Sequence, residues 1–347
     1  MWNSSESLLD GENETSLFPQ LISRSLRNAF LMANGSFTLL VALAALPANF
    51  LNMLIFWSLG LDSSVNINFF ALSAADFSNA CMYAFIAVIW LDMSEIIQLP
   101  LDLTNLQYLS GPLIICMSTY GSWLTAVTST ERCFSVRFPL KVKHIFSRKV
   151  TSGLIASMLV VQVIIMITSL ALVRWRVTAL PGSERSKVIL DTSDAERDVY
   201  ITLLFWGSSL PASICFCVIV MSTVFLAMTL RQRERWLQTL PGQRNESVER
   251  NKRLAATVVA ISAIYITCLL PGVAIVGVFT MIPNLDILNI QNEHMSLVLI
   301  SFVSIFQTVS LMANIFIYYS MNSRYKQCFK RMFCFACNKI RTRNHHE

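Results

Sequence analysis

Seven long apolar stretches dominate this sequence, and they leave it few possible folds. They cover residues 37–60, 66–91, 105–130, 150–173, 199–230, 254–282 and 296–321. A helix needs about 20 apolar residues to cross the roughly 30 Å of hydrocarbon in a membrane, and each stretch is long enough. The runs are continuous and do not alternate with a period of two, which favours helices over a membrane barrel. We therefore predict an all-α membrane protein built as a seven-transmembrane helix bundle.

The composition argues against the other broad classes. Hydrophobic residues make up 54% of the 347 residues and charged residues only 14%, which fits neither a soluble globular domain nor a disordered chain. The four histidines lie outside the apolar stretches and form no pattern of metal ligands or of partners for a nucleophile. We therefore expect that this protein is not an enzyme. We also expect it to have no nucleic-acid partner.

The basic residues predict the orientation of the chain. Most of the 27 Lys and Arg residues lie in three segments, 132–149, 231–253 and 324–343. The positive-inside rule places such segments in the cytoplasm, so we expect the N-terminus outside and the protein in the plasma membrane. The predicted domains are an extracellular tail, a seven-transmembrane domain, and an amphipathic helix with a cytoplasmic tail: 1–36, 37–321 and 322–347.

Both ends of the chain carry expected modification sites. Three sequons of the Asn-x-Ser/Thr type predict glycosylation of the N-terminal tail: Asn3, Asn13 and Asn34. In residues 323–333 apolar side chains recur at helical spacing between basic ones, which is typical of an amphipathic helix lying on membrane lipids. Cys334 and Cys337 follow directly, and we expect palmitoylation there. An unmodified basic tail is the alternative.

Asp76 is the only Asp, Glu, Lys, Arg or His in the interior of the seven stretches. A carboxylate is costly to place in hydrocarbon, so such a residue usually faces partners inside a helix bundle and marks a functional pathway. This predicts that the other polar residues of the stretches supply those partners.

A Glu-Arg pair stands at the end of the third stretch, in Glu131-Arg132-Cys133. Such a pair is by itself more often an anchor at the membrane surface than a switch. An arginine freed from its neighbour can nevertheless offer a rigid fork of donors to another helix or to a docking protein. Further residues in the other stretches favour this functional interpretation: Asn49, Asp76, Pro271, Asn314 and Tyr318.

In this order and on these stretches, the residues resemble the rhodopsin-like (class A) G-protein-coupled receptors over nearly the whole chain. The family's acid-Arg-Tyr motif, sixth-helix proline and Asn-Pro-x-x-Tyr motif are matched by Glu131-Arg132-Cys133, by Pro271, and by Asn314 with Tyr318. The resemblance implies that these residues serve activation and coupling to a heterotrimeric G protein.

Two short segments, 60–67 and 314–319, look similar to the chemosensory receptors of molluscs in particular.

The resemblance also implies a polar site at the middle of the membrane. Asp76, Asn49 and Asn314, with Ser310, would converge on a water-filled pocket where the carboxylate either holds a sodium ion or is protonated. The set of oxygen ligands is incomplete, because Gly121 stands where the family usually offers a serine. Apart from this Na⁺, no cofactor is expected.

Several positions depart from the family. Leu269 replaces a tryptophan, Ile315 the seventh-helix proline and Ile219 a fifth-helix tyrosine. The activation relay must be altered, which keeps a signalling-silent decoy receptor open as an alternative. Gln107 replaces a third-helix cysteine, so we expect no exterior disulfide. Position 251, often acidic in the family and paired with the arginine, is asparagine, so either Glu249 substitutes for it or Arg132 pairs only with Glu131.

The resemblance narrows the choice of ligand. Ile114 takes the place of an amine-binding aspartate and Thr308 that of the lysine that binds retinal, so neither class of ligand is expected. The outer halves of the spans predict a mostly apolar pocket with a few polar points, formed by Trp90, Ile114, Trp206, Tyr265, Ser304 and Thr308. The mixed-charge segment 174–198 is either a lid over this pocket or a solvated loop.

The leading hypothesis is a receptor that binds an extracellular ligand, either a chemosensory small molecule or a peptide such as a neuropeptide, and activates heterotrimeric G proteins. The other alternative is a seven-span ligand-gated channel or transporter. The single charged residue within the stretches and the lack of an internal repeat argue against it.

Overall fold

Seven long helices, a short eighth helix and a small sheet make up most of the described part of the chain. The computed structural model describes residues 23–97, 99, 101–102, 106–138, 142, 145–179, 186–191, 193–238, 246–281 and 293–332. The first four helices are α1 Arg24–Ser58, α2 Ser64–Met93, α3 Leu106–Arg137 and α4 Arg148–Ala171. Helix α5 comprises Asp194–Leu204, the π-helical turn Phe205–Ser209 and Leu210–Gln238, and it is followed by α6 Glu246–Met281, α7 Glu293–Met321 and α8 at 323–332.

Six of the seven long helices are apolar enough as well as long enough to cross a membrane. The exception is α3, which has 32 residues but carries several Ser and Thr side chains. These hydroxyls are buried and donate to carbonyls one turn back on α3 itself: Thr119, Ser122, Thr125 and Thr128. Because α3 packs against α2, α4, α5 and α6, it meets little lipid and does not need an apolar surface all round. The seven-helix bundle is thus confirmed, with one helix less apolar than the rest.

The helices extend beyond the apolar stretches that predicted them. Helix α1 begins at Arg24, where the N-cap Ser23 accepts a hydrogen bond from the Leu26 amide. Residues 24–36, which belong to the predicted extracellular tail, are therefore helical. An apolar run marks where a helix crosses hydrocarbon, whereas caps and side-chain contacts decide where it ends.

A small sheet is formed by segments that follow α2 and α4, and we call the end of the bundle where these two helices end the sheet end. Its strands are β1 Leu101–Asp102, β2 Arg174–Ala179 and β3 Ser186–Asp191, in the order β1-β3-β2. Strands β2 and β3 are antiparallel, with Arg174 opposite Asp191, and β1 is parallel to β3. The mixed-charge segment was predicted only as a lid or a loop, so the sequence interpretation missed this hairpin.

An aromatic cluster fills the core at the opposite end, which we call the Arg132 end. Phe56 of α1, Phe69 of α2, Tyr318 of α7 and Tyr325 of α8 are all fully buried. The Tyr318 ring lies 4.9 Å from Phe56 and 5.0 Å from Phe69, measured between centroids. The Tyr325 hydroxyl donates to Oδ1 of Asn52 on α1. The cluster fixes α8 and the end of α7 against α1 and α2.

The apolar face of α8 packs on the protein. Phe329 contacts the Tyr319 ring of α7 at 5.1 Å between centroids, and Sγ of Cys328 lies 2.9 Å from Oγ of Ser58 on α1. The basic residues of α8 lie on its exposed face. The amphipathic helix is therefore present, and its apolar side is covered by α1 and α7.

Candidate functional site

Asp76 lies in the bundle interior and is joined to α7. It is buried, and its Oδ2 accepts a hydrogen bond of 2.7 Å from Nδ2 of Asn314. A small cavity of about 40 Å³, enough for a few water molecules, lies beside this pair. Polar side chains from α2 and α7 contribute to its wall: Asp76, Asn79, Tyr83, Gln307, Ser310 and Asn314.

The polar faces of α2 and α7 are joined by two pairs of hydrogen-bonded side chains. On α2 the residues are spaced 76, 79, 83, and on α7 they are spaced 307, 310, 314, which puts each set on one face of its helix. Asp76 bonds to Asn314 at one end, and the Tyr83 hydroxyl donates to Oε1 of Gln307 at the other. This spacing was visible in the sequence, but Asn79, Tyr83 and Gln307 were not predicted as site residues.

Asn49 does not line the cavity, although it was predicted to converge there with Asp76. Its side-chain amide donates to the carbonyl oxygens of Ala45, at 3.1 Å, and of Leu311, at 2.9 Å. Asn49 therefore ties α1 to α7 beside the cavity. Its own Oδ1 accepts from Asn52, at 3.3 Å.

The oxygen atoms of the cavity fit a hard cation in part. Asp76 supplies a carboxylate and Ser310 a hydroxyl, and the buried Oδ1 of Asn79 has no hydrogen-bond partner within the described residues. Oxygen ligands of this kind suit Na⁺. Gly121 also lines the cavity but offers no side chain, and nothing lies within 4 Å of where its Cβ would be.

Glu131 and Arg132 form a pair at the Arg132 end, as predicted. Nη2 of Arg132 donates to Oε1 of Glu131 at 2.8 Å, and the two side chains are 11% and 4% exposed. Glu131 also accepts from Ser64 Oγ, at 2.5 Å, and from Asn68 Nδ2, at 3.3 Å, both on α2. Nε of Arg132 is buried without a partner among the described residues. The contacts with α2 were not predicted.

Neutral hydrogen bonds join this part of α3 to α5 and α6. Sγ of Cys133 donates to the Ser222 carbonyl at 3.2 Å. One turn earlier on α3, Oγ of Ser129 lies 2.8 Å from Oγ of Ser262 on α6, and both residues are buried. Pro271 lies further along α6, inside the helix, where it removes a backbone hydrogen bond and favours a bend.

The predicted ligand pocket does not assemble as a single site. Tyr265 lines the cavity, and its hydroxyl bonds to Ser122. Trp90 and Ile114 pack in an apolar cluster towards the sheet end. Trp206 lies on the outside of α5 with 63% of its surface exposed, so its assignment to an internal pocket is wrong.

The hydroxyls of Ser304 and Thr308 are buried and turned back along α7. Each donates to a backbone carbonyl one turn earlier on that helix. The hydroxyl protons of both residues are therefore used within α7.

One predicted glycosylation site is wrong. Asn34 lies in α1, is buried, and its Nδ2 donates to Oγ of Ser301 on α7 at 2.8 Å. A glycan is attached to this nitrogen, so the site would have to be exposed. Asn3 and Asn13, and the predicted palmitoylation sites Cys334 and Cys337, lie outside the described residues.

The fold and the site define a class of protein: a multi-pass helical membrane protein with a polar core and a buried Glu-Arg pair at one end. A family model described as serpentine type 7TM GPCR chemoreceptor Srw matches residues 36–336. This chain belongs to that family, so it is a chemoreceptor of the G-protein-coupled receptor type. A comparison with curated proteins gave no match. The resemblances to the rhodopsin-like class and to molluscan receptors stay predictions.

Proposed function

We propose that this chemoreceptor lies in the plasma membrane with its N-terminus outside, binds an extracellular ligand from the sheet end, and activates a heterotrimeric G protein at the Arg132 end. The observation that carries the proposal is the Glu131–Arg132 pair. It holds an arginine almost out of solvent at the end of α3, and release from Glu131 would free its guanidinium group for a docking protein.

The bundle has the parts of a two-state element. A ligand that binds one arrangement more tightly shifts the population towards it. Helix α6 is joined to α3 near Arg132 by the neutral Ser129–Ser262 bond and contains Pro271 as a place to bend. Outward movement of the end of α6 that lies near Arg132 would open a groove there for a helix of the G protein.

We favour a small molecule over a peptide as the ligand. The polar groups around the cavity are few and convergent, as in sites for small ligands. The cavity holds only about 40 Å³, so binding of such a ligand there would require the helices to move apart. A peptide ligand, including a neuropeptide, would instead bind over the hairpin at the sheet end.

We further propose that Na⁺ binds at Asp76 and Asn79. The bound ion would oppose any movement of α7 towards α2.

The test is a ligand screen followed by a matched pair of variants. Cells that express the receptor with a promiscuous G-protein reporter are exposed to libraries of small molecules and peptides. An active compound is then assayed on Arg132→Ala and on Arg137→Ala, which changes an exposed arginine five residues further along α3.

We expect Arg132→Ala to abolish nucleotide exchange at equal surface expression and Arg137→Ala to retain it. Equal activity of wild type and Arg132→Ala would refute the role of Arg132. A ligand-evoked current without G protein would favour the channel, and ligand binding with no exchange would favour the decoy receptor. Antibody access to an N-terminal tag on unpermeabilised cells tests the orientation.

A further inference from the structure

We propose that the resting receptor is restrained by a contact between α2 and α3, through Ser64 and Asn68, and not by an ion pair between α3 and α6. We call the group Ser64, Asn68, Glu131 and Arg132 the α2–α3 clamp. The inference rests on the proposed function of Arg132 as the residue that meets the G protein. Ser64 and Asn68 are then positioning residues, which act on Arg132 through Glu131.

The geometry of the clamp places both α2 donors on one carboxylate. Ser64 and Asn68 are four residues apart and so lie on the same face of α2. Ser64 Oγ reaches Oε1 of Glu131 at 2.5 Å, and Asn68 Nδ2 reaches Oε2 at 3.3 Å. Ser64 is also the first residue of α2, and the N-terminus of a helix favours a nearby negative charge. The carboxylate is thus fixed to α2 by both of its oxygens.

The two members of the ion pair are unequally satisfied. Glu131 accepts hydrogen bonds from three side chains, whereas Nε of Arg132 is buried without a partner in the described part of the chain. A buried charged group is costly unless it is paired and hydrogen-bonded. Glu131 therefore stays in place, and Arg132 is the member that gains by leaving. The donors on α2 hold the carboxylate where it retains the arginine.

Within the described side chains, the ion pair of Arg132 is the one with Glu131. Position 251 is asparagine in the sequence and cannot form an ion pair with Arg132, and Glu249 stands two positions before it. The described side-chain hydrogen bond between α3 and α6 in this region is the neutral Ser129–Ser262 bond. We expect loss of the clamp to release Arg132, and loss of the Glu249 carboxylate or of the Asn251 side chain not to do so.

The first experiment measures ligand-independent nucleotide exchange on a heterotrimeric G protein, per receptor at the cell surface. A hydrogen bond to a charged group is worth enough that its loss shifts an equilibrium by about tenfold. We expect Ser64→Ala to raise basal exchange about tenfold, and Asn68→Ala to raise it by less because its bond is longer.

Conservative and matched variants separate positioning from folding. Ser64→Thr keeps the hydroxyl and should restore the basal rate of wild type. Asn66→Ala is the matched control, because Asn66 lies between the two donors on α2 but donates to the Gly60 carbonyl, at 2.8 Å. Glu249→Gln and Asn251→Ala test a competing restraint from α6. The proposal is overturned by an equal rise in Asn66→Ala, Glu249→Gln or Asn251→Ala, or by no rise in Ser64→Ala in a receptor that does activate the G protein.

The second experiment needs no G protein. Amide hydrogen exchange of residues 131–137 is measured in purified receptor in lipid nanodiscs. We expect faster exchange in Ser64→Ala and Asn68→Ala than in wild type or Ser64→Thr, because the end of α3 loses its tie to α2. Faster exchange here with no G-protein activation in any variant leaves the clamp standing and refutes the proposed coupling. Unchanged amide exchange refutes the clamp.

Discussion

Two buried tyrosines of the aromatic cluster differ in one respect, and this gives the sharpest test of the structure. The rings of Tyr318 and Tyr325 lie 5.6 Å apart between centroids, and both residues are fully buried. The hydroxyl of Tyr325 donates to Asn52, whereas that of Tyr318 has no partner among the described residues. Tyr→Phe at each position removes the same atom from nearly the same environment.

The two substitutions should change the free energy of unfolding by different amounts. Tyr325→Phe leaves Oδ1 of Asn52 buried without its donor, which costs about 1–3 kcal/mol. Tyr318→Phe removes a hydroxyl that is already unpaired, so the change should be neutral or stabilise the resting state by about 1 kcal/mol. The two variants should therefore differ by about 2 kcal/mol. At roughly 2 °C per kcal/mol for a large chain, Tyr325→Phe should melt about 4 °C lower than Tyr318→Phe.

The assay is thermal unfolding of the purified receptor in one detergent, with wild type alongside. A loss of stability in Tyr318→Phe as large as that in Tyr325→Phe would refute the reasoning, because it would mean that the Tyr318 hydroxyl has a partner. The double variant should show the sum of the two effects if the hydroxyls act independently.

Three further predictions concern other contacts. Asn314→Leu leaves the Asp76 carboxylate buried without its donor and should lower stability by about 3 kcal/mol; adding Asp76→Leu should recover most of this in thermal unfolding. Asn34→Gln should leave the mass removed by glycosidase unchanged, because Asn34 is buried against Ser301; a smaller loss of mass would contradict the structure. Hydrogen bonds from Ser193, the N-cap residue of α5, lower the pKa of Glu196. The contact between Ser193 and Glu196 should therefore stabilise α5 fully at pH values above the ordinary pKa of a carboxyl group. This stabilisation should be lost as the pH falls through the lowered pKa of Glu196. Amide exchange of the first turn, corrected for its intrinsic pH dependence, checks this, and Glu196→Gln should abolish the change.

The sequence was informative where a single residue or a local run carries the signal. Apolar length predicted the spans, since the bilayer accepts only helices of a minimum length. The lone Asp76 predicted a polar interior, and the Glu131–Arg132 pair was found as expected because the two residues are adjacent in the chain. Hydropathy misplaced the start of α1, because a helix continues past the hydrocarbon until its backbone is capped.

The contacts between helices were beyond what the sequence could specify. Asp76 and Asn314 are 238 positions apart, and Asn34 and Ser301 are 267 apart. Which face of each helix meets which neighbour depends on packing among all seven, so a polar residue such as Asn34 can be read equally as a glycosylation site or as a buried tie. For the same reason Trp206 was placed in a pocket although its ring lies outside.

The sequence by itself determined that this protein is a bundle of membrane helices with one carboxylate inside and a Glu-Arg pair at one end. That followed because the cost of exposing polar groups to hydrocarbon acts on each segment separately. Only the tertiary structure decided which side chains hold those charges, because hydrogen bonds of this kind join helices that are distant in the chain. The hydrogen bonds from Ser64 and Asn68 to Glu131 form only when α2 and α3 lie side by side.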